Sequence, residues 1–152
     1  MTGLYAQFHL NEPWDSPNNL RVAEMMPRVY QCPSDSGPRG YTDYMVITGP
    51  ETIFDGAKSC RLEQIADGTS NTLLVVEAKS ASTRWTQPVD IELAKSSLVT
   101  SGGPPGDLGS NHRAGANVLM ADGSVRFIRK DVPPQTIKNL ATKADGQVTP
   151  AF

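Results

Sequence analysis

Ala116-Asn117-Val118-Leu119-Met120-Ala121, then Asp122-Gly123, then Ser124-Val125-Arg126-Phe127-Ile128 is the stretch whose reading decides the fold. Two strand-forming runs flank an Asp-Gly pair, the composition preferred by a two-residue type I′ turn, in which both central residues need positive φ. The stretch therefore predicts an antiparallel hairpin over Ala116 to Ile128, with His112 just ahead of it, anchoring it by a side-chain hydrogen bond. Upstream, Thr72 to Glu77 is continuous in apolar residues and reads as a central strand. Tyr44-Met45-Val46-Ile47-Thr48 has strand composition and is ended by Gly49-Pro50. Ser16-Pro17 reads as an N-cap with proline at the first helical position, opening a helix over Asn18 to Met26 that buries Leu20, Ala23 and Met26. Pro133-Pro134 introduces a second helix over Gln135 to Ala141, burying Ile137, Leu140 and Ala141. The sum is an α+β fold, a β-rich antiparallel sheet with short helices and long loops, in one domain over residues 1–152.

Composition bounds the rest. The 13 glycines and 12 prolines in 152 residues favour turns over long helices. Fourteen Lys and Arg against sixteen Asp and Glu, with neither sign in a block, leave no electrostatic footprint for nucleic acid. The longest aliphatic run, Leu73 to Val76, is far short of the ~20 residues that cross a bilayer. Met1-Thr2-Gly3-Leu4-Tyr5 has neither the charged start nor the apolar stretch of a signal peptide, so the chain is cytosolic or its targeting part lies elsewhere.

Few residues carry obvious chemistry. The two histidines, His9 and His112, stand in different settings, and no nucleophile elbow, zinc-protease motif, P-loop or dinucleotide fingerprint occurs, so an enzyme is not expected. Asp67-Gly68-Thr69-Ser70-Asn71 and Asp122-Gly123-Ser124 offer hard oxygens on short loops. They are candidates for Ca²⁺ through Asp67 and Asp122, or for turn caps that bond nearby amides. Trp14, Tyr41, Trp85 and Phe152 beside Pro, Gly or polar residues suggest either a partner or sugar-stacking surface or the closure of a small core. Cys32 and Cys60 sit in loop-like surroundings, without CxxC or metal-ligand spacing. They are a disulfide or two unpaired thiols.

His112, nine residues, then Asp122-Gly123 is similar to the C-terminal signature of a bacterial family of unknown function, number 1559, whose members carry a prepilin-type leader. Asp67-Gly68-Thr69-Ser70-Asn71-Thr72-Leu73-Leu74-Val75-Val76-Glu77, Tyr30-Gln31-Cys32-Pro33-Ser34-Asp35 and Glu12-Pro13-Trp14-Asp15-Ser16-Pro17-Asn18 resemble further blocks of that family, in its order. The resemblance implies a pilin- or pseudopilin-like fold, a sheet packed against a long N-terminal helix, and export to the cell surface. This sequence departs from the pattern at its start, where that helix is not found. For an exported domain the resemblance also implies a Cys32–Cys60 disulfide and leaves room for calcium. It implies as partners chiefly copies of the same chain, with a glycan or small-solute module as the alternative. The expected function is a structural subunit of an extracellular assembly, joined through the apolar Leu4, Tyr5, Phe8 and Leu10 and through the tail from Val148 to Phe152.

Overall fold

The computed structural model describes residues 3–78, 83–101, 103–104 and 107–147. The tail from Val148 to Phe152, including the expected assembly residue Phe152, lies outside them. Among the described residues two α-helices, α1 (Pro17–Ala23) and α2 (Pro134–Ala141), accompany six strands: β1 (Tyr44–Met45), β2 (Ile47–Thr48), β3 (Leu73–Glu77), β4 (Ile91–Glu92), β5 (Gly115–Met120) and β6 (Val125–Arg129). The class is α+β.

The main sheet has the order β1-β3-β5-β6, and its pairs are all antiparallel. β3 lies between β1 and β5, the central position its apolar run requires. The segment expected as one strand from Tyr44 to Thr48 divides instead, β1 joining the main sheet and β2 pairing in parallel with β4. Val46 is the switch: its carbonyl accepts from Ile91 N, beginning the second ladder.

The hairpin β5–β6 forms with Asn117 opposite Phe127 and Leu119 opposite Val125. Its turn differs from the two-residue expectation. Gly123 N donates to Met120 O and Met120 N to Ser124 O, which leaves a three-residue loop, Ala121-Asp122-Gly123. Only Gly123 has positive φ, 84°. Asp122 stays at negative φ because its Oδ1 accepts from both the amide and the hydroxyl of Ser124, at 2.8 and 2.6 Å. The loop is thus a β-turn closed by one left-handed glycine, the next most common hairpin solution.

Alternation along the strands divides the sheet into two unlike faces. Met45, Val76, Val118, Met120 and Ile128 point inward, where α2 covers them with Ile137, Leu140 and Ala141. α2 buries the three residues its pattern predicted, with proline at its first position. On the outer face lie Tyr44, Val75, Glu77, Asn117, Leu119, Val125 and Phe127.

The N-terminal part packs on the rim. Ser16 Oγ accepts from Asn19 N at 3.1 Å, the expected cap of α1. That helix ends three residues earlier than expected and buries Asn19, Val22 and Ala23, with Met26 buried just beyond it. Asn19, not Leu20, takes the innermost place because its side chain satisfies the loop before it, donating to His9 O and Pro13 O and accepting from His9 N. Trp85 closes this segment on the body: its indole donates to Ala23 O at 2.8 Å and its ring meets Phe8 and Tyr30. No helix among the described residues is long and apolar enough to cross a membrane.

Candidate functional site

The motif residues gather at the two opposite ends of the main sheet. At one end Asp67 to Asn71 forms a tight turn in which Asn71 N donates to Gly68 O and Asn71 Nδ2 to Asp67 O. Gly68, at φ 92°, supplies the left-handed step. Both oxygens of Asp67 accept backbone amides, from Asp145 at 2.8 Å and Gly146 at 2.9 Å. The tip of the hairpin docks here through Asp122 N to Thr69 O. The two aspartates considered for calcium therefore spend oxygens as caps, Asp67 on the chain after α2 and Asp122 on its own turn. Ser70 is half-buried in the same turn.

The other end of the sheet holds the only metal-type cluster among the described residues: Cys32, Glu77 and His112. Cys32 follows a 3-10 turn at Arg28–Tyr30 and is fixed by its own backbone, its amide donating to Asp43 Oδ2 at 2.7 Å and its carbonyl accepting from Asp35 N. Glu77 is the last residue of β3, and the strand pleat that turns Val76 into the core turns Glu77 to the outer face. His112 stands three residues before β5, in the loop that enters it, and is set by its amide donating to Ser110 Oγ.

Three separated segments so deliver a thiol, a carboxylate and an imidazole to one point. Cys32 Sγ lies 3.7 Å from Glu77 Oε1 and 3.7 Å from His112 Nε2, and Nε2 lies 3.7 Å from the same Oε1. Cys32 is 5% exposed and Glu77 2%, while His112 is half-buried. Asn117 holds Glu77 from behind, donating its amide to Oε2 at 2.8 Å and its Nδ2 to Oε1 at 3.0 Å. A cavity of about 10 Å³ abuts the cluster, walled by Cys32, Asp43, Glu77, Ala78, Gly109, Ser110 and Asn111. Cys32 also lines an open pocket together with Arg28, Gln31, Pro33, Asp35 and Arg39.

The electrostatics are unusual for a resting core. Burial pushes the Cys32 thiol up, and the Glu77 and Asp43 carboxylates beside it push the same way. Burial also raises the Asp43 carboxyl to about 7, with Asp35 and Glu77 adding to the effect. A nucleophilic cysteine needs the opposite environment, one that favours thiolate.

The sequence expectations fare unevenly. Cys32 and Cys60 are both free. The expected disulfide does not form because Cys32 Sγ turns inward to Glu77 and His112, while Cys60, half-buried on another loop, donates its thiol to Arg61 O. His112 does not bond to the hairpin; six of the nine residues between it and Asp122 form β5, which carries the two motif ends apart along the strand at roughly 3.3 Å per residue. Glu77 is not among the site residues that the sequence suggests. It closes the apolar run Leu73 to Val76, and a carboxylate directly after four buried-type residues is the signal that could have found it. Of the assembly residues, Tyr5 and Leu10 are 74% and 71% exposed, Leu4 is half-buried, and Phe8 is partly covered by Trp85.

Residues 80–135 match the sequence family described as protein of unknown function (DUF1559), the family the motifs resemble. The matched segment contains β4, β5, β6, His112 and the Asp122-Gly123 turn. No curated protein and no solved structure matches the chain.

Proposed function

We propose that this chain, which carries the DUF1559 segment over residues 80–135, is a pilin-like structural subunit of a bacterial surface assembly, not an enzyme, and that it joins further copies of itself through the outer face of its main sheet. The observation that carries this reading is the character of that face. Tyr44, Val75, Leu119 and Val125 line an open groove of about 520 Å³, with Val29 and Tyr30 at its rim, and Phe127 continues the face. Val125 is 69% exposed and Val29 75%, and a contiguous apolar surface rimmed by polar residues marks an interaction site. The same molecule carries a matching apolar projection: Tyr5 and Leu10 extend from the short turn before α1, and neither is covered by its own chain. A groove and a projection on one chain make a head-to-tail contact between copies, which propagates into a fibre unless the rotation closes a ring. β6 ends the main sheet, so strand addition is a second way for a neighbour to extend it.

Sedimentation velocity across a concentration series tests this. The expected result is a sedimentation coefficient that rises with concentration and falls back to that of a monomer in Val125→Asp with Phe127→Asp, or in Tyr5→Ser with Leu10→Ser. All four positions are at least 38% exposed, so the variants keep the fold. A monomeric boundary for the unaltered chain at every concentration overturns the proposal.

A further inference from the structure

The three atoms Cys32 Sγ, Glu77 Oε1 and His112 Nε2 form a triangle with equal sides of 3.7 Å. The centre of such a triangle lies about 2.1 Å from each corner (3.7 Å divided by √3), which is the length of a Zn–N or Zn–O bond and close to Zn–S at roughly 2.3 Å. Tetrahedral zinc with those bond lengths holds its donors about 3.3–3.6 Å apart, so a few tenths of an ångström of adjustment suffice. Direct pairing would look different, because an imidazole nitrogen bonding a carboxylate sits about 2.7–3.0 Å from it. Here the two are 3.7 Å apart although both side chains reach the same point.

The charge balance points the same way. Glu77 is a buried carboxylate, and among the described residues no lysine or arginine pairs with it. Asp43 lines the same small cavity, and burying a carboxylate such as Glu77 without a cationic partner is costly. A dication bound by one thiolate and one carboxylate makes a neutral centre. The Asn117 amide and side chain that grip Glu77, and the Asp43 carboxylate that grips the Cys32 amide, are the outer contacts that orient ligands before a metal arrives. The adjoining cavity of about 10 Å³ has room for about one water at a fourth position.

We propose that Cys32, Glu77 and His112 form a binding site for a divalent transition-metal ion, zinc in the first place, with a fourth position open to water. On binding, the Cys32 thiol gives its proton to solvent and its sulfur becomes a thiolate ligand. Glu77 supplies an oxygen and His112 the lone pair of neutral Nε2. Sulfur, nitrogen and oxygen together select zinc and its neighbours over calcium or magnesium, which take oxygen alone. The ion ties the loop after Tyr30, the end of β3 and the entry to β5 into one unit. The site borders the groove of the proposed self-association, which Glu77 and Asn117 also line, but all three ligands come from one chain, so metal binding is measured on the monomer independently of that contact.

Titration of chelator-treated, phosphine-reduced protein with Co²⁺ tests it. The expected result is one Co²⁺ per chain with a near-ultraviolet thiolate charge-transfer band and the visible bands of four-coordinate cobalt, both erased by Zn²⁺. Zn²⁺ at a hundredfold excess over its Kd should raise Tm by roughly 5–10 °C. Cys32→Ser should abolish the charge-transfer band, His112→Gln should weaken binding at least tenfold, and Cys60→Ser should behave as the unaltered chain. His112 is the most exposed of the three ligands, so its variant remains decisive if Cys32→Ser fails to fold. Absence of the band in folded protein, a band lost in Cys60→Ser, or unaltered affinity in His112→Gln overturns the proposal.

Discussion

Gly115→Ala removes nothing from the molecule and adds one methyl group, yet it should be among the most damaging substitutions available. Gly115 opens β5 opposite Arg129, and a Cβ built there would lie 2.0 Å from Ile128 O and 2.9 Å from Arg129 Cα. Ordinary carbon–oxygen contact needs about 3.4 Å, so the strands must separate locally by about 1.4 Å. Both obstacles are backbone, and no side chain can swing aside. A hydrogen bond stretched from 2.9 Å, as Lys130 N to Ala114 O now is, by that amount no longer counts as one. Losing two ladder bonds, each leaving a donor or acceptor unmet at about 1–3 kcal/mol, gives roughly 2–6 kcal/mol in total. For a chain of this size that is a fall in Tm of roughly 5–20 °C. Urea unfolding followed by circular dichroism measures it, with Gly123→Ala as a comparison, since a Cβ at Gly123 meets nothing within 4 Å and costs only the strain of φ 84°. A Gly115→Ala variant within about 1 kcal/mol of the parent would refute the close-approach argument, because a mobile hairpin would then absorb the methyl group.

Two further expectations rest on the core and on acid titration. Ile137→Ala empties a fully buried position where α2 meets the inner face of the sheet, and should cost about 2–5 kcal/mol in equilibrium urea unfolding. Burial pushes the Asp107 carboxyl up, but hydrogen bonds from the Ser96 and Ser97 hydroxyls and the Ser97 and Leu108 amides outweigh it and hold it below its usual 3.8. A carboxyl depressed in the folded state contributes stability that is present above its unfolded pKa and lost as pH falls through the folded one. Asp107→Asn should therefore cost about 2–3 kcal/mol at pH 7, a cost that shrinks progressively as the pH is lowered below 3.8, measured by urea unfolding across an acid pH series.

Local signals are legible where one residue type settles the backbone. Ser16-Pro17 marks the start of α1, Pro133-Pro134 that of α2, and an apolar run without polar interruption places β3 at the centre of its sheet. The turn at Asp122-Gly123 is legible only in part, because Asp-Gly suits two loop lengths and the choice between them falls to Ser124, whose amide and hydroxyl hold Asp122 at negative φ. Val46 as the point where one extended segment leaves one sheet for another carries no signal in its own neighbourhood, since the cause is Ile91, 45 residues away.

The candidate site is illegible for the same reason carried further. A reading of spacing looks for ligands a few residues apart on one turn or helix, and Cys32, Glu77 and His112 are separated by 45 and 35 residues. Each stands inside a block that resembles the family, yet taken alone each suggests something else. Cys32 suggests a disulfide, His112 an anchor for the hairpin, and Glu77 the end of a strand. What joins them is the sheet. Glu77 sits on β3, His112 enters β5 beside it, and the β1–β3 pair opposite Tyr44 holds Asp43, whose carboxylate fixes the Cys32 loop. The register that sets Tyr44 against Glu77 and Val76 against Val118 is thus what converts three distant residues into one triangle. A slip of one residue in β3 would turn Glu77 into the core and Val76 out of it, dismantling the cluster and burying an unpaired carboxylate in the same move.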